Sequence, residues 1–364
     1  MLGLSSASNW IVFVCYMVFC VNHSILVTWT QNKKKGYSYN ATAAILHIDA
    51  LKLLVSTVLA LYRFSFHGVV KDVSKNTRVL ALYFIPAFLY AVFNNLTFLN
   101  LTKFDPTSYS ILMQIKIVIS GVVYQVLFDR KLSGKQWLSL VFLMFGCMMN
   151  QLNPAYFASY KPNGTSQLTE DSQSSLLTFN PAIIFILLQL LCSTIAGVYT
   201  ELLIKHHSKG LDLWIQNIFM YSNSIICGLI LYAASGQPYQ KLFVLMEGSA
   251  SAMDRFKVGA VICNMAAMGI VTAIFLKTLN SIVKNFATAL EVIMASLLSW
   301  IFFGIPVNLF TAIAILVILI SIYVYSRNPL AQQPVLVKRR KTKVSESDPG
   351  NEHVSNMTNT GKLH

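Results

Sequence analysis

Two adjacent amides (Asn94, Asn95), two phenols (Tyr90, Tyr109) and one ammonium (Lys116) sit in the stretch YAVFNNLTFLNLTKFDPTSYSILMQIK, residues 90–116. The stretch begins deep in one apolar run, turns at Phe104-Asp105-Pro106 and continues into a second. Polar groups inside hydrocarbon are costly, so they face a protein interior or a wet cavity. An amide offers both donor and acceptor and can read a nucleobase edge. A lysine is a compact point charge that meets a phosphate. A cavity holding amide, phenol and ammonium groups therefore suits a nucleotide, and the chemistry points to a carrier for an anionic one.

Further residues extend the set, each with a plainer alternative. Lys116 lies too deep to snorkel easily, and it either meets phosphate or pairs with an interior carboxylate such as Glu291. Lys284 is expected at the cavity mouth facing phosphate, whereas Lys277 reads as a border charge. Asn217 and Tyr221 are four apart and share a helical face. Tyr199, Glu201 and Lys205 form a similar group, in which Glu201 and Lys205 are equally well a structural pair. Lys52 counts among the cavity residues, although Asp49, three residues before it, can neutralise it. Asn94 and Asn95 serve equally well as helix–helix glue.

The elements that must position these groups are apolar runs. Of 364 residues, 55% are hydrophobic and 12% charged, against about 25% charged in an ordinary soluble domain; the mean hydropathy is +0.57. At about 20 apolar residues per membrane span, the fold class is an all-α membrane protein with about ten transmembrane helices. They are expected near 9–30, 41–63, 79–101, 106–128, 136–153, 179–204, 212–235, 257–278, 282–304 and 306–326. A Ser/Asn/Gln-rich loop over 154–178 divides the bundle (1–327) into halves of about 1–153 and 179–327. Residues 328–364 read as a disordered basic tail. The first run lacks a basic leader and reads as a span rather than a cleaved signal.

Basic residues gather on one side of these spans, among them Arg63, Lys71, Lys75, Arg78, Arg130, Lys131, Lys205 and those of the tail. The positive-inside rule then puts both termini in the cytosol. The sequon Asn163-Gly164-Thr165 falls on the opposite side. A faint repeat lays FLNLTKFDPTSYSILMQIK (98–116) over FLKTLNSIVKNFATALEVI (275–293). With an odd number of spans per half, the halves insert oppositely, as in carriers whose substrate site lies at the repeat interface.

Other classes have little support. The net charge of +14 follows from membrane-border residues and does not call for nucleic acid. The six cysteines lie in apolar segments without a CxxC, so neither a disulfide framework nor a zinc site is expected. His47, His206 and His207 lack metal-type partners, and no Walker-type glycine loop occurs. No catalytic constellation appears; a membrane transferase would need paired carboxylates or histidines at a membrane face, and Glu170-Asp171 in the loop is the nearest approach. A scaffold that kept the fold and lost transport is a third reading.

Taken in order, D-x-x-K at Asp49–Lys52, Y-A-V-x-N-N at Tyr90–Asn95, Q-x-K-I at Gln114–Ile117, G-V-Y-x-E-x-x-x-K at Gly197–Lys205, N-I-x-M-Y at Asn217–Tyr221 and K-x-F at Lys284–Phe286 resemble the Golgi nucleotide-sugar transporters. The resemblance covers residues 40 to 327. It implies a bundle of two inverted five-helix repeats and antiport of a cytosolic nucleotide sugar against a lumenal nucleoside monophosphate, with no cofactor. It also implies Golgi membrane residence among lipid, and leaves a homo-oligomer open. By resemblance Lys116 and Lys284 contact phosphates, Asn94, Asn95, Asn217 and Tyr221 contact the nucleotide, and Tyr90, Tyr109 and Tyr199 line the cavity. The sialic-acid branch has a tyrosine where this chain has Met113 and a basic residue where it has Gln216. Glu291 has no charged counterpart there. These departures argue against CMP-sialic acid and by themselves leave base and sugar open; together with the resemblance they imply a UDP-sugar, with UDP-galactose first and UDP-N-acetylglucosamine or CMP-sialic acid as alternatives.

Overall fold

The computed structural model describes residues 6–30, 41–101, 103–104, 106–152, 181–208, 210–234, 251–303 and 308–328. The chain divides after Leu330: Met1–Leu330 is one unit, and Ala331–His364 is a second that lies outside the described residues. So do the loop 154–178 and Asn163. Among the described residues there is helix and no strand. The helices are α1 (Ala7–Thr30), α2 (Ala41–Arg63), α3 (Phe66–Lys75), α4 (Thr77–Leu82), α5 (Phe84–Leu101), α6 (Pro106–Met113), α7 (Lys116–Phe128), α8 (Gly134–Gln151), α9 (Pro181–Leu202), α10 (Leu213–Ala234), α11 (Ala252–Thr278), α12 (Ser281–Phe303) and α13 (Leu309–Arg327).

Nine stretches of the described residues are long and apolar enough to cross a membrane. The expected fifth span, 136–153, does form a helix as α8, but it is not one of the nine. Lys135 and Gln136 at one end, with Asn150 and Gln151 at the other, shorten its apolar stretch. The expected spans 79–101 and 106–128 are each broken. Pro86 has no N–H to give the carbonyl of Leu82, and the helix is interrupted at Tyr83 between α4 and α5. Between α6 and α7 the backbone tightens: Gln114 and Ile115 donate to Ile111 and Leu112 at 3.1 Å each. This is the i→i+3 pattern of a 3₁₀ turn, and it immediately precedes Lys116.

Side-chain distribution fits a lipid solvent. Val126, Leu316, Leu54 and Ile230 are among the exposed large apolar residues, while Gln189, Glu201, Asn100 and Asn217 are buried. Where a soluble protein buries apolar groups and hydrates polar ones, this bundle turns polar groups inward, where most of them find partners.

The helix pairings fall into mates. Leaving out the short α3 and counting α4–α5 and α6–α7 as one unit each, a shift of five units carries α1·α11 onto α9·α5, α1·α12 onto α9·α7, α2·α11 onto α10·α5, and α7·α8 onto α12·α13. The pairs α2·α10, α7·α12 and α8·α13 map onto themselves. This is the contact pattern of a two-fold arrangement. The α8·α13 seam is closest at Gly146, where a Cβ would stand 2.7 Å from Ile318 Cγ1 and 3.3 Å from the Ala314 carbonyl. Small residues at such crossings let backbones approach where no hydrophobic drive exists between helices. Ser321 Oγ donates to the Ser139 carbonyl at 2.6 Å, and Gln136 Nε2 to the Asn328 carbonyl at 2.9 Å, tying the seam further.

Candidate functional site

Helices α2, α5, α9, α10 and α11 enclose a cavity of about 270 Å³. Helical spacing supplies its polar groups. Asp49 and Lys52 come from one face of α2, Tyr90 and Asn94 from one face of α5, and Asn217, Tyr221 and Ser224 from one face of α10. Thr200 of α9 and Thr272 of α11 complete the polar lining. A smaller recess of about 50 Å³ shares Asp49, Asn94 and Ser224 and continues past Asn95 to Thr42 and Tyr232.

The cation of the cavity is held in place. Lys52 Nζ lies 3.1 Å from Asp49 Oδ1 and 5.4 Å from the centre of the Tyr221 ring. Ser224 Oγ donates to Asp49 Oδ2 at 2.6 Å, so both carboxylate oxygens are engaged. Gly269 makes room for the lysine stem; a Cβ there would be 2.4 Å from Lys52 Cε. The ammonium thus keeps donor capacity toward the cavity while its charge is balanced. Asn217 is buried, and its Nδ2 has no hydrogen-bond partner among the described residues. A buried amide donor left unpaired is destabilising, and one that lines a cavity is a donor waiting for a ligand acceptor.

Polar links gather at one end of the cavity. Arg63 pairs with Asp212 at 2.7 Å across the ends of α2 and α10. Tyr83 OH donates to Gln216 Oε1 at 2.9 Å. Glu201 accepts Lys205 at 2.7 Å and both the backbone N–H and the hydroxyl of Ser281 at 2.7 and 2.6 Å. Lys205 also donates to the Leu279 carbonyl. This last set joins α9, through the π-helical turn Leu203–His207 that ends it, to the α11–α12 junction. The recess runs toward the other end, so the two ends differ: one carries the Arg63–Asp212 and Glu201–Lys205 ion pairs, the other runs past Asp49, Asn94, Asn95 and Ser224 to Thr42 and Tyr232.

Of the ten residues that the sequence put in one cavity, Lys52, Tyr90, Asn94, Asn217 and Tyr221 line it and Asn95 lines the recess. Asn95 Nδ2 bonds its own helix at Ala91 O, 2.9 Å away. Tyr109 is elsewhere, accepting Gln189 Nε2 at 2.7 Å in a network with Thr97 and Asn100. Tyr199 packs with Tyr83, Leu203 and Phe219. Lys116 and Lys284 belong to a second polar cluster with α1 and Glu291: Lys116 is within electrostatic reach of both Lys284 and Glu291. Sequence reasoning missed Ser224 and Gly269. Ser224 sits seven residues after Asn217 on the same helical face, so its spacing could have found it; Gly269 left no signal.

Comparison with known proteins now decides the class. The family described as "Nucleotide-sugar transporter" matches residues 6–326. The chain belongs to the nucleotide-sugar transporter family. "UDP-galactose transporter senju" of Drosophila melanogaster is 36% identical over 347 residues, covering 88% of this chain and 87% of that protein. "CMP-sialic acid transporter 2" of Oryza sativa subsp. indica is 28% identical, covering 89% and 86%. "CMP-sialic acid transporter 4" of Arabidopsis thaliana is also 28% identical, covering 90% and 88%. A solved crystal structure shares the fold at a TM-score of 0.61 and 11% identity, covering 89% of this chain and 98% of its own. This nucleotide-sugar transporter is accordingly a multi-pass membrane protein, and the cavity lies among its helices.

Proposed function

We propose that the protein is an antiporter that moves a UDP-sugar, UDP-galactose foremost, from the cytosol to the Golgi lumen in exchange for UMP. The observation that carries this is the cavity inside the bundle, where the Lys52 ammonium, the Tyr221 ring and the unpaired Asn217 amide meet. A ring platform and an amide edge suit a pyrimidine base, and fixed cations suit phosphates. Lys116 and Lys284 are the further phosphate contacts, reached as the helices move. In this reading α8 crosses the membrane with its partner α13, which gives ten spans in two oppositely inserted halves. Both termini face the cytosol. The end that carries Arg63, Lys205 and Asp212 is then cytosolic, and its ion pairs act as the cytosolic gate of an alternating-access cycle.

The choice of uridine over cytidine rests on the similarity to senju and on Met113 and Gln216. Neither lines the cavity. Met113 packs with Ile186 and Leu190, and Gln216 acts one step back by holding Tyr83, which does line it. The plant CMP-sialic acid transporters keep the second reading in play. Trans-stimulation separates them. Proteoliposomes preloaded with UMP are expected to accelerate uptake of labelled UDP-galactose, and preloading with CMP is not. Stimulation by CMP, or uptake of UDP-N-acetylglucosamine without UDP-galactose, would overturn the base or the sugar assignment.

A further inference from the structure

The cluster around Lys116 and Lys284 holds more than two cations. Lys284 begins a face of α12 that continues through Thr288 to Glu291, two helical turns on. Lys116, the first residue of α7, is within electrostatic reach of both charged ends of that face. From α1, Tyr16 lies with its ring 6.0 Å from Lys284 Nζ and its hydroxyl 3.5 Å from Thr288 Oγ1. Ser24 Oγ donates to Glu291 Oε1 at 2.6 Å. Among the described residues, neither Lys116 nor Lys284 has a carboxylate within ion-pair distance. The arrangement is two ammonium groups and one carboxylate linked through Lys116, with the carboxylate held by a serine and paired with neither lysine.

We infer that Glu291 is an internal counter-anion for Lys116 and Lys284 that lets the unloaded transporter reorient, so the protein carries out net uniport of its nucleotide sugar as well as exchange. The inference rests on the proposal that these lysines take the phosphates. Reorienting a site through low dielectric is hindered by each charge left uncompensated. With Glu291 ionised, the empty site carries one excess positive charge rather than two, and the return step of uniport is open. Exchange never uses that step, because the site returns loaded. In E291Q, a ligand of two negative charges neutralises both lysines fully, so the loaded crossing improves while the empty one is blocked. Both effects push the two transport modes apart.

The test compares initial uptake of labelled UDP-galactose into UMP-preloaded and nucleotide-free proteoliposomes. The wild type is expected to accumulate label in nucleotide-free vesicles beyond one ligand per transporter. E291Q is expected to lower the ratio of net uptake to exchange by about tenfold or more, and E291D, which keeps the charge, to hold the ratio near the wild-type value. A wild type that exchanges but shows no net uptake overturns the inference by itself, whatever the folding of the variants. So does an E291Q protein whose ratio is unchanged, or an E291D protein that behaves like E291Q. If the wild type carries no nucleotide sugar in either mode, it is the proposed function that fails.

Discussion

Replacing Gly269 with Ala adds a single methyl group, and its consequence can be worked from the structure. The new Cβ would lie 2.4 Å from Lys52 Cε, 3.0 Å from Nζ and 3.1 Å from Cδ. Carbon atoms settle at about 3.5–4 Å, so the lysine stem must retreat by roughly 1 Å. Its Nζ now stands 3.1 Å from Asp49 Oδ1 and 5.4 Å from the Tyr221 ring centre, and a shift of that size takes the pair to the edge of hydrogen-bonding geometry. A hydrogen bond to a charged group contributes about 1.5–3 kcal/mol. Losing the lower part of that range weakens nucleotide binding about tenfold. Helix α11 itself gains, because Ala is favoured over Gly by about 0.8–1 kcal/mol in a helix interior, so the thermal midpoint should not collapse. The assay is nucleotide binding by detergent-solubilised protein in a double-mutant cycle with Lys52→Ala. In the Lys52→Ala background, Gly269→Ala should change affinity little, since the group it displaces is gone. Equal losses in both backgrounds, or a large drop in thermal stability from Gly269→Ala alone, would refute the steric argument.

Three other outcomes follow from named contacts. Glu201→Ala strips Lys205 and Ser281 of their shared acceptor, and breaking a buried pair costs about 3–5 kcal/mol; thermal unfolding should show a marked loss, and a neutral result would mean that the set is solvated. Gly146→Val forces a branched side chain against Ile318 and the Ala314 carbonyl, with an overpacking cost of about 1–3 kcal/mol, read as a lowered unfolding midpoint that Gly259→Val, where nothing lies within 4 Å of a Cβ, does not match. A cysteine placed at Ser166 should resist an impermeant thiol reagent added from the cytosolic side of sealed vesicles, while one in the tail should react; the reverse pattern would invert the proposed orientation.

The class of the fold was plain in the sequence because a bilayer asks one simple thing of a chain, about 20 apolar residues per helix, and the apolar runs supply it. The breaks at Tyr83 and at Gln114–Ile115 were harder. Pro86 was visible and its position marks the first break. The second, just before Lys116, has no proline or glycine to announce it and follows from tertiary packing alone. For α8, length and apolarity trade against each other: its polar ends shorten the apolar stretch, while its packing against α13 sets its place in the bundle.

The site was half legible for a related reason. Residues three, four or seven apart on one helix must share a face, so Asn217 with Tyr221, and Asp49 with Lys52, could be paired from spacing. Which helices then meet is a property of packing, and one sequence does not contain it. Lys116 and Lys284 lie 168 positions apart in the chain, on α7 and α12, which map onto each other under the five-unit shift. Their mutual approach is therefore a consequence of the two-fold contact pattern rather than of any local signal. Glu291 is on the same helical face as Lys284, yet spacing alone makes it equally a partner for that lysine, a partner for Lys116, or neither. The structure gives the carboxylate a different partner, a serine on α1 that the sequence places 267 residues away. In the proposed cycle, a carboxylate kept within reach of Lys116 without pairing to it leaves room for the charge of an anion that comes and goes on every turn.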